Sequence, residues 1–156
     1  MAAFERDPLP DGILVLVGGH SSRVFGRRSA LRERPRVVEV GRVSDPELRA
    51  LLEAAQATIC PSLYEGFGLA PLEAMACGCP VVASAIPPHQ EVLGDAALFF
   101  DPSNSTALVS QLQRIWASEE LRRALGERGR RQASRFSWLG AAQRIVELLC
   151  RLSRSE

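Results

Sequence analysis

Two glutamates, Glu65 and Glu73, stand on either side of a glycine-containing segment in the stretch 61–80, which reads PSLYEGFGLAPLEAMACGCP. A carboxylate can accept hydrogen bonds from the vicinal hydroxyls of a sugar or ribose. Gly66 and Gly68 would let a ligand approach the backbone where a side chain would block it. This combination indicates a site for a phosphate-bearing or sugar-bearing ligand. A plainer interpretation is that the glutamates only cap or solvate a helix start and the glycines only serve a tight turn.

The same stretch predicts the elements that position these residues. Pro71 suits a first helical position, residues 72–77 contain good helix formers, and Gly78 offers a left-handed stop, so Glu73 should fall in the first turn. The short apolar runs 57–60 and 81–83 predict buried strands of one parallel sheet. Ligands of such sheets bind at the carboxyl ends of strands, so the loop 63–69 should lie at the binding edge, where the helix dipole favours an anion.

Other patterns predict the rest of an α/β fold, a Rossmann-like parallel sheet flanked by helices with a helical C-terminus. Strands are expected at 13–17, 36–40 and 96–100, and a helix is expected from Pro46 to about Ala55, with Ser44 as its cap. A helix of uncertain limits is expected within 20–35, and a loop at 84–90. The whole chain, 1–156, is expected to be a single domain, with an extended lead-in (1–11), an α/β core (12–101) and a helical part (102–156).

Composition excludes several classes of function. The 156 residues carry 19 basic and 18 acidic side chains, and every basic one is Arg, so no nucleic-acid partner is indicated and a catalytic lysine is impossible. The four cysteines and two histidines lack metal-site spacing, so neither a metal nor a cofactor is predicted. Cys60 and Cys77 are expected to be buried thiols of a reducing cytosol. No apolar run is long enough to span a bilayer, which predicts a cytoplasmic protein.

The stretch 61–80 closely resembles the signature of family 4 retaining glycosyltransferases, in which a Glu is followed after seven residues by a second Glu. Glu65 and Glu73 match these two positions. Similarity also extends through 41–45, 80–84, 91–97 and Phe136-Ser137-Trp138. The resemblance therefore covers most of the chain, and it implies the C-terminal, nucleotide-sugar-binding domain of a two-domain GT-B enzyme.

The resemblance implies transfer of a glycosyl unit from a nucleotide-diphosphate sugar, with retention at the anomeric carbon and without a metal. It assigns Glu65 to the donor sugar as the catalytic candidate, although not as a proven base, and Glu73 to the ribose. The other donor-binding positions that we expect are Gly18, Gly19, Arg42, Val43, Gly66, Phe67, Gly68, Leu69 and Glu91. On sequence alone Arg42 could equally be a surface arginine, and His89 is expected to be a surface or packing residue rather than a base.

The sequence also departs from the family pattern. A first strand carrying an Arg, followed by the Lys-Gly that holds the donor phosphates, is not found, and neither is an acceptor-binding domain. The expected partner is an N-terminal GT-B domain or a second chain, and self-association is a further expectation. The isolated chain should have little activity, and the complete enzyme could lie peripherally at the inner membrane face. The alternative is a non-catalytic nucleotide-sugar-binding module or pseudoenzyme that acts with a partner.

Overall fold

The computed structural model describes residue 9 and residues 11–18 and 36–153. Most of the predicted lead-in, Gly19 and the helix expected within 20–35 lie outside these residues. The elements in chain order are β1 (Leu14–Val17), β2 (Val37–Gly41), α1 (Asp45–Ala54), β3 (Thr58–Cys60), α2 (Leu69–Ala76), β4 (Val81–Ser84), α3 (Pro87–Leu93), a 3-10 turn (Gly94–Ala96), β5 (Ala97–Phe100), α4 (Ser105–Ala117), α5 (Glu119–Ala133) and α6 (Trp138–Leu152).

All strand pairs in the described residues are parallel, which confirms the α/β class. The prediction that the strands at 57–60 and 81–83 belong to one parallel sheet is confirmed, and the five described strands divide into two sheets. β1 pairs with β2, while β4 lies between β3 and β5. In the second sheet the carboxyl ends of three strands meet at one edge, which is the edge where ligands of such sheets bind.

The core lies on both faces of β4, whose four residues are all buried. Because strand side chains alternate between faces, Val81 and Ala83 pack into one cluster with Met75 of α2. Val82 points the other way and packs with Ile115 of α4. Helices therefore cover both faces of this sheet, which explains why β4 is apolar throughout instead of alternating.

Helix starts were predicted with mixed success. The start of α1 is confirmed, since the Ser44 amide donates to the Glu47 carboxylate at 2.8 Å in a capping box. The loop predicted at 84–90 was wrong in its second half, because α3 begins at Pro87 with two prolines at positions where the missing N–H costs little. The helical part was expected from residue 102, and α4 begins slightly later, at Ser105. The side chain of Asn104 accepts from the Thr106 and Ala107 amides and caps it.

Two arginines of α5 bind the ends of neighbouring helices. Arg122 donates to the carbonyl oxygens of Ile115 and Trp116 at 2.7 and 3.1 Å, and so satisfies the carboxyl end of α4. Arg130 donates to the Cys77 carbonyl at 3.1 Å, at the end of α2. These bonds tie three helices together. Across the residues that the structure describes, no helix is both long and apolar enough to traverse a membrane.

Candidate functional site

The site is built on the loop 61–68, which runs from the end of β3 to the start of α2. Ser84, the last residue of β4, donates its hydroxyl to the Ser62 carbonyl and so fixes the beginning of the loop to the neighbouring strand. The Ser62 hydroxyl in turn donates to Glu65 Oε1 at 2.8 Å. Glu65 is therefore half-buried and held from within the loop, with its second carboxylate oxygen left for another partner.

The loop ends at Gly68, which precedes the first residue of α2. Gly68 has φ 90° and ψ 52°, a left-handed conformation that costs any other residue about 1–2 kcal/mol. In the described structure no backbone group accepts a hydrogen bond from the amides of Phe67, Gly68, Leu69 or Ala70. Free amides and the helix dipole at such a helix start favour an anion.

The start of α2 corrects the predicted position of Glu73. The helix begins at Leu69 rather than Pro71, so Pro71 is the third helical residue and Glu73 lies in the second turn. Proline is tolerated there because the first N–H groups of a helix have no intrahelical partner. The end of the helix is confirmed, since Gly78 has φ 79° and the Gly78 and Cys79 amides close a Schellman motif onto Met75 and Ala74.

Glu73 does not cap the helix. It is exposed, α2 has no side-chain cap, and its carboxylate has no hydrogen-bonding or ionic partner among the residues described. Residues at i and i+4 share a helix face and side chains tilt toward the helix N-terminus. Glu73 therefore lies on the helix face of Leu69, one turn from the free amides. This placement counts against the interpretation that the glutamate only stabilises a helix start.

The two loop glycines have different surroundings. A Cβ on Gly68 would lie 3.1 Å from Cδ2 of His89, whereas a Cβ on Gly66 would have no atom within 4 Å, and φ of Gly66 is not positive. The torsional freedom expected of both glycines is therefore used only at Gly68. Among the residues that the structure describes, nothing lies beside Gly66, which leaves room for a ligand to approach the backbone.

An aromatic contact joins the loop to the far end of the chain, and sequence reasoning missed it. The rings of Phe67 and Phe136 meet edge to face, with centroids 5.7 Å apart. Phe136 lies between α5 and α6, and the following Ser137 caps α6 through the Gly140 amide at 3.0 Å. The only sequence signal was the similarity at Phe136-Ser137-Trp138, which gave no spatial partner. Tyr64 and Leu63 are also exposed in the loop, at 90% and 76%.

The remaining predicted residues lie apart from the loop. Gly18 (φ 120°) donates to the Gly41 carbonyl at 2.8 Å at the carboxyl end of the first sheet, and the exposed Arg42 and half-buried Val43 follow there. Glu91 is exposed on α3. The structure thus brings Glu65, Gly66, Phe67, Gly68, Leu69 and Glu73 into one unit. Within the described part of the chain, no hydrogen bond, ion pair or ring contact links Arg42, Val43 or Glu91 to it.

The cysteine beside the loop, Cys60, is unreactive at neutral pH. Burial raises the pKa of the Cys60 thiol to about 12, and the Glu65 carboxylate adds to this effect. The thiol at the end of β3 therefore stays protonated at neutral pH and is a poor nucleophile. The chemistry of the site must rest on carboxylates and backbone amides.

Comparison with known proteins agrees with this geometry. The family model for glycosyl transferases group 1 matches residues 1–132. The MMP alpha-(1->4)-mannosyltransferase of Mycolicibacterium hassiacum is 43% identical over 108 residues, which cover 67% of this chain and 26% of that protein. The D-inositol 3-phosphate glycosyltransferase of Corynebacterium urealyticum is 32% identical over 155 residues, 93% of this chain and 36% of that protein.

Solved structures show the same likeness. Sucrose-phosphate synthase from Thermosynechococcus elongatus superposes with a TM-score of 0.82 at 32% identity, over 99% of this chain and 41% of that one. HepE of Anabaena, solved in complex with UDP-glucose, gives a TM-score of 0.78 at 25% identity, over 96% and 43%. The chain therefore spans less than half the length of these relatives. Because the family match covers most of its residues, the chain belongs to the group 1 glycosyl transferases.

Proposed function

We propose that the chain is the donor-binding domain of a retaining glycosyltransferase, which binds a nucleotide-diphosphate sugar for transfer to an acceptor held elsewhere. One observation carries the proposal. Glu73, which is exposed and unpartnered among the described residues, lies one helical turn from the free amides of the α2 N-terminus, at the carboxyl-end edge of the three-stranded sheet. A group of hydroxyls next to a diphosphate satisfies both features, and a nucleotide sugar carries that arrangement.

The proposed roles follow from the position of each group. The amides of Phe67, Gly68 and Leu69 bind the diphosphate, and they stabilise the charge that develops on it as the glycosidic bond breaks. Glu73, one turn further along the helix, accepts from the ribose hydroxyls. Glu65, fixed by Ser62, accepts from hydroxyls of the donor sugar. No metal is required in this scheme, because fixed amides and the helix dipole supply the stabilisation.

The relatives support the ligand class. HepE was solved with UDP-glucose, and several matched relatives are described as mannosyltransferases. A hexosyl donor linked to a nucleoside diphosphate agrees with both. The base and the sugar are left open, because no contact in the described structure links the expected base positions, Arg42 and Val43, to the loop.

The acceptor side is assigned to a further domain or chain. The helix α6 carries an apolar stripe that nothing in the described structure covers, formed by Trp138, Ile145, Leu149 and Leu152, which are 58–80% exposed. The relatives are more than twice as long as this chain. We assign the stripe to contact with the acceptor-binding half of the enzyme. All four cysteines are free thiols, which fits a cytoplasmic location.

The second candidate is a nucleotide-sugar-binding module without catalytic activity. Its supporting observation is the same pair of features, the free α2 amides and Glu73, which suffice for binding without transfer. Both candidates share the donor site. They differ in whether transfer occurs once the acceptor-binding partner is supplied.

The test combines binding with turnover. Calorimetric titration of the purified chain with UDP-glucose, GDP-mannose, UDP and GDP should show binding of at least one nucleotide. Transfer to a panel of acceptors should be absent for the chain alone and should appear when an acceptor-binding domain from a relative is added. No binding at millimolar ligand would refute the donor-binding role. Multiple-turnover transfer by the chain alone would refute the assignment of the acceptor side to another domain.

A further inference from the structure

A buried histidine lies directly beneath the glycine loop. His89 and Ser84 are both 0% exposed, and they are the two buried residues with polar side chains in the described part of the chain. His89 Nδ1 lies 3.0 Å from the Ser84 carbonyl oxygen and 3.2 Å from the Ser84 hydroxyl. Its other ring nitrogen, Nε2, has no partner among the residues described. The ring therefore leaves one buried nitrogen without a hydrogen bond, which is costly. An apolar ring at this position would avoid that cost.

The hydrogen bonds assign the tautomer. A carbonyl oxygen only accepts, so Nδ1 must carry the hydrogen that it donates to Ser84. The Ser84 hydroxyl donates to the Ser62 carbonyl, and its oxygen is therefore free to accept from Nδ1 as well. The ring is anchored through one nitrogen to the end of β4, and its Cδ2–Nε2 edge faces away from that anchor.

This free edge meets Gly68. A Cβ built on Gly68 would lie 3.1 Å from Cδ2 and 3.6 Å from Nε2 of His89. The contact is steric, since Nε2 makes no hydrogen bond here within the described residues. Ser84 and His89 thus act on both ends of the loop. The Ser84 hydroxyl holds Ser62 at the beginning, and the imidazole edge lies where a side chain on the left-handed Gly68 would project at the end.

We propose that His89 is a positioning residue for the donor site: it holds Gly68 in its left-handed conformation and so fixes the α2 amides at the diphosphate. This rests on the proposed donor-binding function, since the amides are the ones assigned to the donor. The ring does not touch the ligand. Its effect on binding passes through the conformation of the loop, which must be fixed before the ligand arrives for the amides to bind well.

Two variants separate the support of Gly68 from the anchor to Ser84. His89→Asn places its amide nitrogen near the position of Nδ1, so it keeps a donor for Ser84 but no longer reaches Gly68. His89→Gln extends to the position of Nε2 and so keeps bulk beneath Gly68. Val92→Ala is the matched control, because Val92 is buried on the same helix, at 5% exposure, and loses core packing without contacting the loop.

The first measurement is amide hydrogen exchange in the free chain, which needs no ligand. In His89→Asn, exchange at Gly68 and Leu69 should rise about tenfold more than exchange in β4, which reports global opening. His89→Gln should restore the exchange rates of the loop to within about twofold of wild type. Val92→Ala should raise loop and β4 exchange together. Equal exchange at the loop in the Asn and Gln variants, or a rise that only follows β4, would overturn the proposal.

The second measurement is nucleotide affinity. His89→Asn should weaken nucleoside-diphosphate binding at least fivefold, and His89→Gln should stay within about twofold of wild type. If wild type binds no nucleotide, the proposed function fails, while the exchange measurement still decides the role of His89. If exchange behaves as expected but both variants bind like wild type, the loop is held by His89 without consequence for the donor and the positioning role is refuted.

Discussion

The two glutamates differ in what holds them. Glu65 is tied to Ser62 within its own loop, whereas Glu73 projects from a helix without any partner in the described structure. A carboxylate held in place loses little freedom when it binds a ligand, and one without a partner has its full hydrogen-bonding capacity available. The pair is therefore suited to two different sets of hydroxyls on one ligand.

Gly66 and Gly68 give a prediction at the same scale. Gly68→Ala should lower the free energy of unfolding by about 1–3 kcal/mol, because it combines a left-handed φ with a close approach to the His89 ring. Gly66→Ala should leave stability nearly unchanged but weaken nucleotide binding, because its Cβ would project into open space beside the backbone. Urea unfolding and calorimetry measure the two effects. Similar destabilisation by both substitutions would contradict the structure.

Sequence reasoning identified these residues as a set but could not distinguish them. Nothing in the sequence distinguishes the backbone conformations of Gly66 and Gly68. They differ because α2 begins at Leu69, so that the left-handed turn falls on Gly68 alone. Pro71 misplaced that start by two residues, because proline is acceptable at any of the first helical positions. His89 was expected to be a surface or packing residue in a loop, and it is buried in α3. Its burial depends on α3 folding back beneath the loop, which no local pattern specifies.

At the scale of elements, α2 is held by close packing against α5. A Cβ on Gly126 would lie 2.5 Å from the Gly78 carbonyl oxygen, and one on Gly129 would lie 3.2 Å from Cγ of Met75. The two glycines lie one helical turn apart and let the helices approach closely. The helix that carries Glu73 thus depends on two small residues some fifty positions later in the chain.

Substitution at this crossing should be costly. Gly126→Ala should destabilise the chain by about 1–3 kcal/mol, since the obstacle is backbone and cannot rotate away. Gly140→Ala, on the exposed helix α6, is the control, because alanine favours a helix by up to about 1 kcal/mol over glycine and the nearest atom is a movable Ser137 hydroxyl. Thermal unfolding of both variants makes the comparison. A neutral Gly126→Ala would mean that the two helices do not pack this closely.

For the elements as a whole, apolar runs located β1 to β5, and helical spacing located α1, within about one residue, although β1, β2 and α1 contain no fully buried residue. The grouping of the strands into sheets was not predictable from such patterns. Strand propensity specifies a pleated, half-buried segment but not its neighbour. The sequence did not predict that Arg122 caps α4, since its carbonyl partners belong to that preceding helix.

At the scale of the whole molecule, few groups other than cysteine thiols determine how the free energy of unfolding changes at alkaline pH. Burial raises the pKa of Cys60 to about 12 and also raises the pKa of Cys79. An unfolded thiol ionises near pH ~8.5, so above that pH the unfolded chain holds fewer protons than the folded chain and the folded state loses stability as pH rises. The chain has no Lys and a single Tyr, so few other groups titrate in this range.

The free energy of unfolding should therefore fall as the pH rises from about 9 toward about 11. Cys60→Ala should reduce this slope, whatever its effect on stability at neutral pH, and Cys150→Ala should not, because Cys150 is exposed. Denaturant unfolding at a series of pH values measures the slope. An unchanged slope in Cys60→Ala would show that this thiol does not carry the effect.

The uncovered stripe of α6 should govern association of the isolated chain. Replacing Ile145 and Leu149 by Gln should reduce self-association, because a large apolar patch on an isolated domain favours contact between copies. Thermal stability should change little, since both side chains are more than half exposed. Sedimentation velocity over a range of concentrations gives the comparison. A wild-type chain that stays monomeric throughout would contradict this expectation.

The central claim, that Glu73 accepts from the ribose of a nucleoside diphosphate, is tested most directly by calorimetric titration of wild type, Glu73→Gln and the control Glu127→Gln on the exposed face of α5. A charge-assisted pair of bonds is worth about 1.5–3 kcal/mol, and about 1.4 kcal/mol corresponds to tenfold in affinity. Glu73→Gln should therefore weaken binding by about tenfold or more with an unchanged melting temperature, while Glu127→Gln binds like wild type. Equal affinities for all three proteins, with a lowered melting temperature only in Glu73→Gln, would contradict the claim.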